Sequence, residues 1–325
     1  MKSKDSGYCE EWNFQDNGII TREGSHVSFL NFKNVLATKS ELNRNYSEVT
    51  EFILLGFRTS PEVQILLFFL FLLIYVVIVL RNHSMLVVIE IDSRLHTPVY
   101  FFLRNLSCLD LSATPQSLLP KLTTVLSKEK KISHNDCATQ FFFFALFVGT
   151  EDFFLTVMAY DRFSAICSPF LYTIRMSQQA CLCLVVGSSI CGCINSMIQT
   201  GFTFSLHFCG ENRLEHFFCD VPVMIKISCI DTLVNEIVLF ILSALIITTT
   251  TVILVFYVHI LSTVLKIPST HGRCKTFSTC SSHITVVSLF YGTVFFTYAQ
   301  PGAISSPKSK VIAVFYTLVI PMLNL

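Results

Sequence analysis

Met158-Ala159-Tyr160-Asp161-Arg162-Phe163-Ser164-Ala165-Ile166-Cys167 closes an apolar run that extends from Phe141 to Val157. An acid and a base stand side by side where a helix of that length would leave a bilayer. Charges at such a boundary can reach water or headgroups. Position alone therefore leaves two readings open, an interfacial anchor or a functional element. The rest of the chain has to decide between them.

Composition sets the class. Charged residues are 14% of the 325 positions and hydrophobic ones 52%, with Phe at 31 of them. A soluble domain carries about 25% charged residues, so most of this chain does not face water. A net charge of +1 leaves no electrostatic footprint for nucleic acid. Several of the 13 cysteines, such as Cys181, Cys183, Cys191 and Cys193, fall inside apolar runs and read as small buried groups rather than ligands. No Gly-rich phosphate loop, H-E-x-x-H or G-x-S-x-G occurs, so an enzyme is not expected. The paired repeats and broken helices of a transporter are not evident either.

Crossing about 30 Å of hydrocarbon takes about 20 residues. Apolar runs of that order recur at roughly 63–89, 98–119, 137–158, 180–204, 233–265 and 276–299, and a seventh runs from Val311 to Leu325. The second is the weakest, since it holds Arg104 and Asp110, with three prolines, Pro98, Pro115 and Pro120, in or just beyond it. The chain thus reads as an all-α membrane protein, a seven-transmembrane-helix bundle over 63–325 whose seventh helix is incomplete. Residues 1–62 read as a polar extracellular segment without a secretory signal.

The letters around Asp161-Arg162, Met158 to Tyr172, closely resemble the third-helix signature of vertebrate odorant receptors, a branch of the rhodopsin-like G-protein-coupled receptors. Other stretches resemble the family in the same order. They are Tyr46 to Phe57 at the amino terminus, Ile91 to Leu103 in the first inner loop, Lys275 to His283 and Ser288 to Thr293 in the sixth helix, and Pro321 to Asn324 in the seventh. Residues 1–40 lie outside the resemblance and read as an atypical, disordered extension.

The resemblance implies a receptor in the plasma membrane, amino terminus outside. Its partners would be a small volatile odorant, the lipid bilayer and a stimulatory heterotrimeric G protein, with no nucleic acid. Positive charge does not favour that orientation, because the outer loops hold more Lys and Arg than the inner ones. The sequon Asn45-Tyr46-Ser47 and the outer cysteines do favour it, since both belong on the oxidising lumenal side. Asn45 is the expected glycosylation site; the sequons at Asn82 and Asn105 fall in or beside spans.

Site residues follow from family position. Phe144, Ala145, Val148, Gly149 and Asp152 on the third helix would face the ligand, as would Tyr291, Val294, Phe295 and Tyr298 on the sixth. Asp161 and Arg162 would form the G-protein switch, with Arg162 held by its neighbour at rest. Four lumenal cysteines allow three pairings, and the resemblance selects Cys137 with Cys219 and Cys209 with Cys229. Asp110 and Glu151 would share either a monovalent cation or a proton, because two carboxylates in low dielectric cannot both stay ionised alone. No other cofactor is expected.

Three departures support an alternative, a nonsignalling, pseudogene-like member or an incompletely predicted gene. Arg81-Asn82 replaces the family's Gly-Asn, only four residues separate Asp110 from Pro115, and Leu325 follows Asn324 where the family has Pro.

Overall fold

A computed structural model of the chain describes residues 51–55, 60–126, 129–208, 212–214, 218–229, 232–266 and 269–298. The expected seventh span, the segment 1–50 with its sequon, and Cys209 lie outside these residues. In chain order the elements are β1 (Glu51–Leu55), α1 (Pro61–Ile91), α2 (Pro98–Leu126), β2 (Glu129–Ser133), α3 (His134–Cys167), α4 (Pro169–Arg175), α5 (Gln178–Phe204), β3 (Arg213–Leu214), α6 (Val221–Lys226), α7 (Leu233–Leu265) and α8 (Thr270–Tyr298). The six long helices match the first six expected spans.

Helix starts follow local chemistry. Pro61 and Pro169 open α1 and α4, where a missing N–H costs nothing. Ser133 caps α3 reciprocally: its Oγ accepts from the Asp136 N–H at 3.1 Å and donates to Asp136 Oδ2 at 2.8 Å. The doubtful second span is one continuous helix despite Pro115 and Pro120. Arg104 finds Glu90 at the end of α1 at 3.2 Å, Asp110 is buried, and Thr114 Oγ1 bonds back to the Asp110 carbonyl at 2.5 Å.

Four of the helices, α1, α3, α5 and α7, are long and apolar enough to cross a bilayer by composition alone. Their outward faces are greasy. Leu66, Leu73, Leu80 and Val87 form an exposed sevenfold stripe on α1, and Phe240, Ile247, Leu254 and Leu261 form another on α7. Inward, α1 buries Phe71, Ile78, Asn82 and Ile89. Apolar surface that extensive is stable against lipid and not against water.

Helix α3 is the central strut and packs against α2, α5, α7 and α8. Its 34 residues span about 51 Å at ~1.5 Å each. It therefore passes beyond both faces of the hydrocarbon, and Asp161 and Arg162 ride on the helix rather than beyond its end. Its closest neighbour is α5, where two glycines meet. A Cβ on Gly192 would stand 2.2 Å from Thr150 Oγ1 and 2.8 Å from its backbone N, and one on Gly149 would lie 3.1 Å from Asn195 Nδ2. Small residues allow this approach in a membrane, where packing replaces the hydrophobic effect as the driving force. Ser196 Oγ then reaches across to the Phe142 carbonyl at 2.5 Å.

A small sheet at one end adds to the all-helical expectation. β1 lies between β2, antiparallel with Glu51 opposite Ser133, and β3, parallel with Ile53 opposite Arg213. Phe52 and Leu54 are buried beneath it with Cys137, Phe208, Leu214, Cys219 and Met224. The backbone of two outer segments thereby gains partners that helices could not supply.

The α3–α5 crossing generates a paired prediction. Gly192→Ala should destabilise the receptor by about 1–3 kcal/mol through overpacking, read as a lower thermal midpoint and reduced surface level. Gly187→Ala, on the same helix with nothing within 4 Å of its Cβ, should leave both unchanged. Equal behaviour of the two variants would contradict the close approach.

Candidate functional site

The amino-terminal end of α3 is fixed covalently. Cys137 opens the helix and is disulfide-bonded to Cys219, with Cα atoms 5.7 Å apart. Cys229 is disulfide-bonded too, while its expected partner Cys209 lies outside the described residues. Beside the Cys137–Cys219 bridge Phe144 meets the ring of Phe218, centroids 5.5 Å apart. A lid over the bundle is thus tied to the helix that carries most of the candidate ligand residues.

Below the lid, three helices converge on one carboxylate. Asp152 is 4% exposed. The Tyr291 hydroxyl of α8 donates to its Oδ1 at 2.7 Å, and the Thr249 hydroxyl of α7 lies 3.1 and 3.0 Å from Oδ1 and Oδ2. The surroundings are apolar: Leu155, Ala159, Ile253, Val286, Val287 and Phe290 form a buried cluster, with Phe144, Val148, Tyr291 and Val294 packed against it. Spacing explains the stripe, since Phe144, Val148 and Asp152 recur every four residues on one face of α3.

Other expected ligand residues fall elsewhere. Ala145 is buried against Phe141 and Val221, and Gly149 against Gly192 and Asn195 of α5. Phe295, four residues from Tyr291, is 66% exposed. Tyr298 ends α8, and its side chain lies outside the described set. Thr249 joins the site without any motif, one of four consecutive threonines from Thr248 to Thr251.

Asp110 on α2 and Glu151 on α3 are both buried. Among the described residues no group of three or more His, Cys, Asp or Glu side chains is placed to hold a metal ion. Arg81 of α1 lies within electrostatic reach of Asp110.

At the opposite end of α3, Asp161 is 1% exposed and accepts from the Tyr172 hydroxyl at 2.9 Å. Among the described residues no direct ion pair joins Asp161 to Arg162, while the charge of Arg162 still acts on Asp161. Adjacent residues on a helix point about a quarter-turn apart and do not face each other. Tyr172 comes from α4, whose Pro169 start turns it back toward α3. Burial first, and then the charge of Asp161, push its phenol above the usual value, so it stays a donor. Arg162 lies within electrostatic reach of Asp161 and also of Tyr257, Cys280 and His283. The Tyr257 hydroxyl is hydrogen-bonded to His283 Nδ1, tying α7 to α8.

A long central helix bridged at its amino-terminal end, with a carboxylate at its middle and an Asp-Arg pair near its carboxyl end, agrees with the comparisons. The sequence profile described as Olfactory receptor matches residues 71–325. The chain belongs to the olfactory receptor family. It is 53% identical over 275 residues to Olfactory receptor 9S13 of Mus musculus, covering 84% of this chain and 83% of that protein. It is 48% identical over 282 residues to Olfactory receptor OR9H1 of Homo sapiens, covering 86% and 92%. Olfactory receptor 5I1 of Homo sapiens is 48% identical over 284 residues, covering 87% and 90%. This odorant receptor is therefore a multi-pass membrane protein of a class that binds odorants and couples to G proteins.

The inner end of this receptor yields a prediction. Tyr172→Phe removes the donor to buried Asp161, a loss of ~1–3 kcal/mol. Basal cyclic-nucleotide signalling should rise at equal surface level. An unchanged basal signal together with an unchanged thermal midpoint would show the hydroxyl to be idle.

Proposed function

We propose that this receptor binds a small volatile odorant between α3, α7 and α8, directly above Asp152, and activates a stimulatory heterotrimeric G protein from the plasma membrane. The observation that carries the reading is the convergence of Asp152, Thr249 and Tyr291 inside an apolar lining. Few polar groups within a mostly apolar lining suit a small ligand that needs orientation more than many bonds. Phe144, Val148 and Val294 line it; Ala145, Gly149 and Phe295 act around it rather than at its centre. Because α7 and α8 both contact the carboxylate held by α3, a ligand that rearranges this cluster acts on the helices that meet Arg162 below. That is a bistable element biased by differential contacts.

The amino terminus is outside in this reading. β1 shares a sheet with β2, which leads into the Cys137 end of α3, and disulfides belong to the oxidising side. Asn45 then carries the glycan. Asn82 and Asn105 sit within α1 and α2, where their amides bond to the Ile78 and Phe101 carbonyls at 3.1 and 2.7 Å. Asp110 and Glu151 share a proton or a monovalent cation, with Arg81 contributing part of the neutralising charge.

The test is an odorant panel on the full chain. Surface level is followed by an amino-terminal epitope on intact cells, and the response by cyclic nucleotide. Val148→Phe fills the space above Asp152 and should lower potency at least ~10-fold, equivalent to ~1.4 kcal/mol, with surface level unchanged. A response that survives Val148→Phe and Phe144→Ala undiminished would move the ligand elsewhere. A calcium signal without a cyclic-nucleotide rise would replace the G-protein type.

A further inference from the structure

We infer that Asp152 selects odorants carrying a cationic nitrogen, so that medium-length primary alkylamines are the ligand class of this receptor; the inference rests on the pocket reading above. The count of protons around the carboxylate leads there. A carboxylate offers about four acceptor positions. Two hydroxyls serve them, and each has one proton. The Tyr291 proton goes to Oδ1 at 2.7 Å. The Thr249 proton is contested, because Thr249 Oγ1 is 2.8 Å from the Ile246 carbonyl of its own helix as well as 3.0 Å from Oδ2. Oδ2 therefore has a single, shared donor.

Charge is the second argument. Among the described residues the groups acting on Asp152 are these two hydroxyls, with no Lys, Arg or His among them. The nearest basic residue on α3 is Arg162, 162 − 152 = 10 positions on, or ~15 Å along the axis. Glu151, the adjacent residue, is another acid. A buried carboxylate without a countercharge is costly. An ammonium group brings three donors and the missing positive charge together. An alcohol brings one donor and no charge, and a carboxylic acid brings repulsion.

Shape agrees. From Phe144 to Asp152 the stripe covers eight positions of α3, or ~12 Å. Val148 and Val294 lie beside it, and the Phe144–Phe218 pair closes the end under the lid. An unbranched chain laid along this stripe would place its terminal nitrogen at Oδ2.

Hexylamine, hexan-1-ol and hexanoic acid on the full-length receptor form the test. One readout is the thermal midpoint of purified protein, which needs no signalling; the other is cyclic nucleotide in cells. Hexylamine should raise the midpoint most and exceed hexan-1-ol about 10–100-fold in potency, the worth of a charge-assisted contact of ~1.5–3 kcal/mol. Asp152→Asn should abolish the amine advantage, and Asp152→Glu, which retains the charge, should keep part of it. An amine no better than the alcohol, a preference for the acid, no midpoint shift with any of the three, or an amine advantage surviving Asp152→Asn would each overturn the inference. Val148→Phe separates the two readings. If it blocks all ligands while the amine has no advantage, the pocket stands and the ligand class falls. If it blocks none, the pocket itself is wrong.

Discussion

A carboxylate in the middle of a membrane bundle is tolerated only when donors converge on it, and Asp152 makes that demand on three helices at once. Thr249 and Tyr291 answer it from α7 and α8, so both are held in rotation and depth relative to α3. An isolated helix in lipid satisfies its backbone internally and has little reason to settle in one register. The polar cluster supplies that reason. The apolar residues around it then pack as a consequence, with Phe290 and Ile253 buried beneath the cluster.

The two ends of α3 depend on the same strut. At its amino-terminal end, the bridge from Cys137 to Cys219 and the β1–β2–β3 sheet fix the segment between α5 and α7 to the first turn of the helix. Near its carboxyl end, Tyr172 holds Asp161 while Arg162 lies within electrostatic reach of the Tyr257–His283 link between α7 and α8. A change at Asp152 is therefore felt by the same two helices that form the inner link. Coupling requires no long wire, since one packed helix pair spans the distance.

Much of the bundle could be read directly from the chain, because the length of an apolar run translates into a span. The second helix, with Arg104, Asp110 and its prolines, was the faintest of the apolar runs; its charges turn inward or to Glu90. The sheet was not legible. Glu51-Phe52-Ile53-Leu54-Leu55 is short, and its partner Ser133 is 133 − 51 = 82 positions away. Thr249 was hidden among identical neighbours, and only helix phase distinguishes it. Thr248, Thr249 and Thr251 all bond carbonyls of their own helix, and of these three Thr249 also reaches Asp152. Gly149 has a second role that the sequence did not display. Its family position suggested the ligand face, but the missing side chain serves the contact with α5. Tyr172 carried no signal beyond lying in the resembling stretch, because its role depends on how α4 turns back.

The central claim is that Asp152 and Tyr291 act as one unit joining α3 to α8. A double-mutant cycle measures this directly, using Asp152→Asn, Tyr291→Phe and the pair, with stability read on purified receptor. The account predicts a coupling of ~1 kcal/mol or more between the two positions. Effects that add within ~0.3–0.5 kcal/mol, as for independent sites, would contradict it.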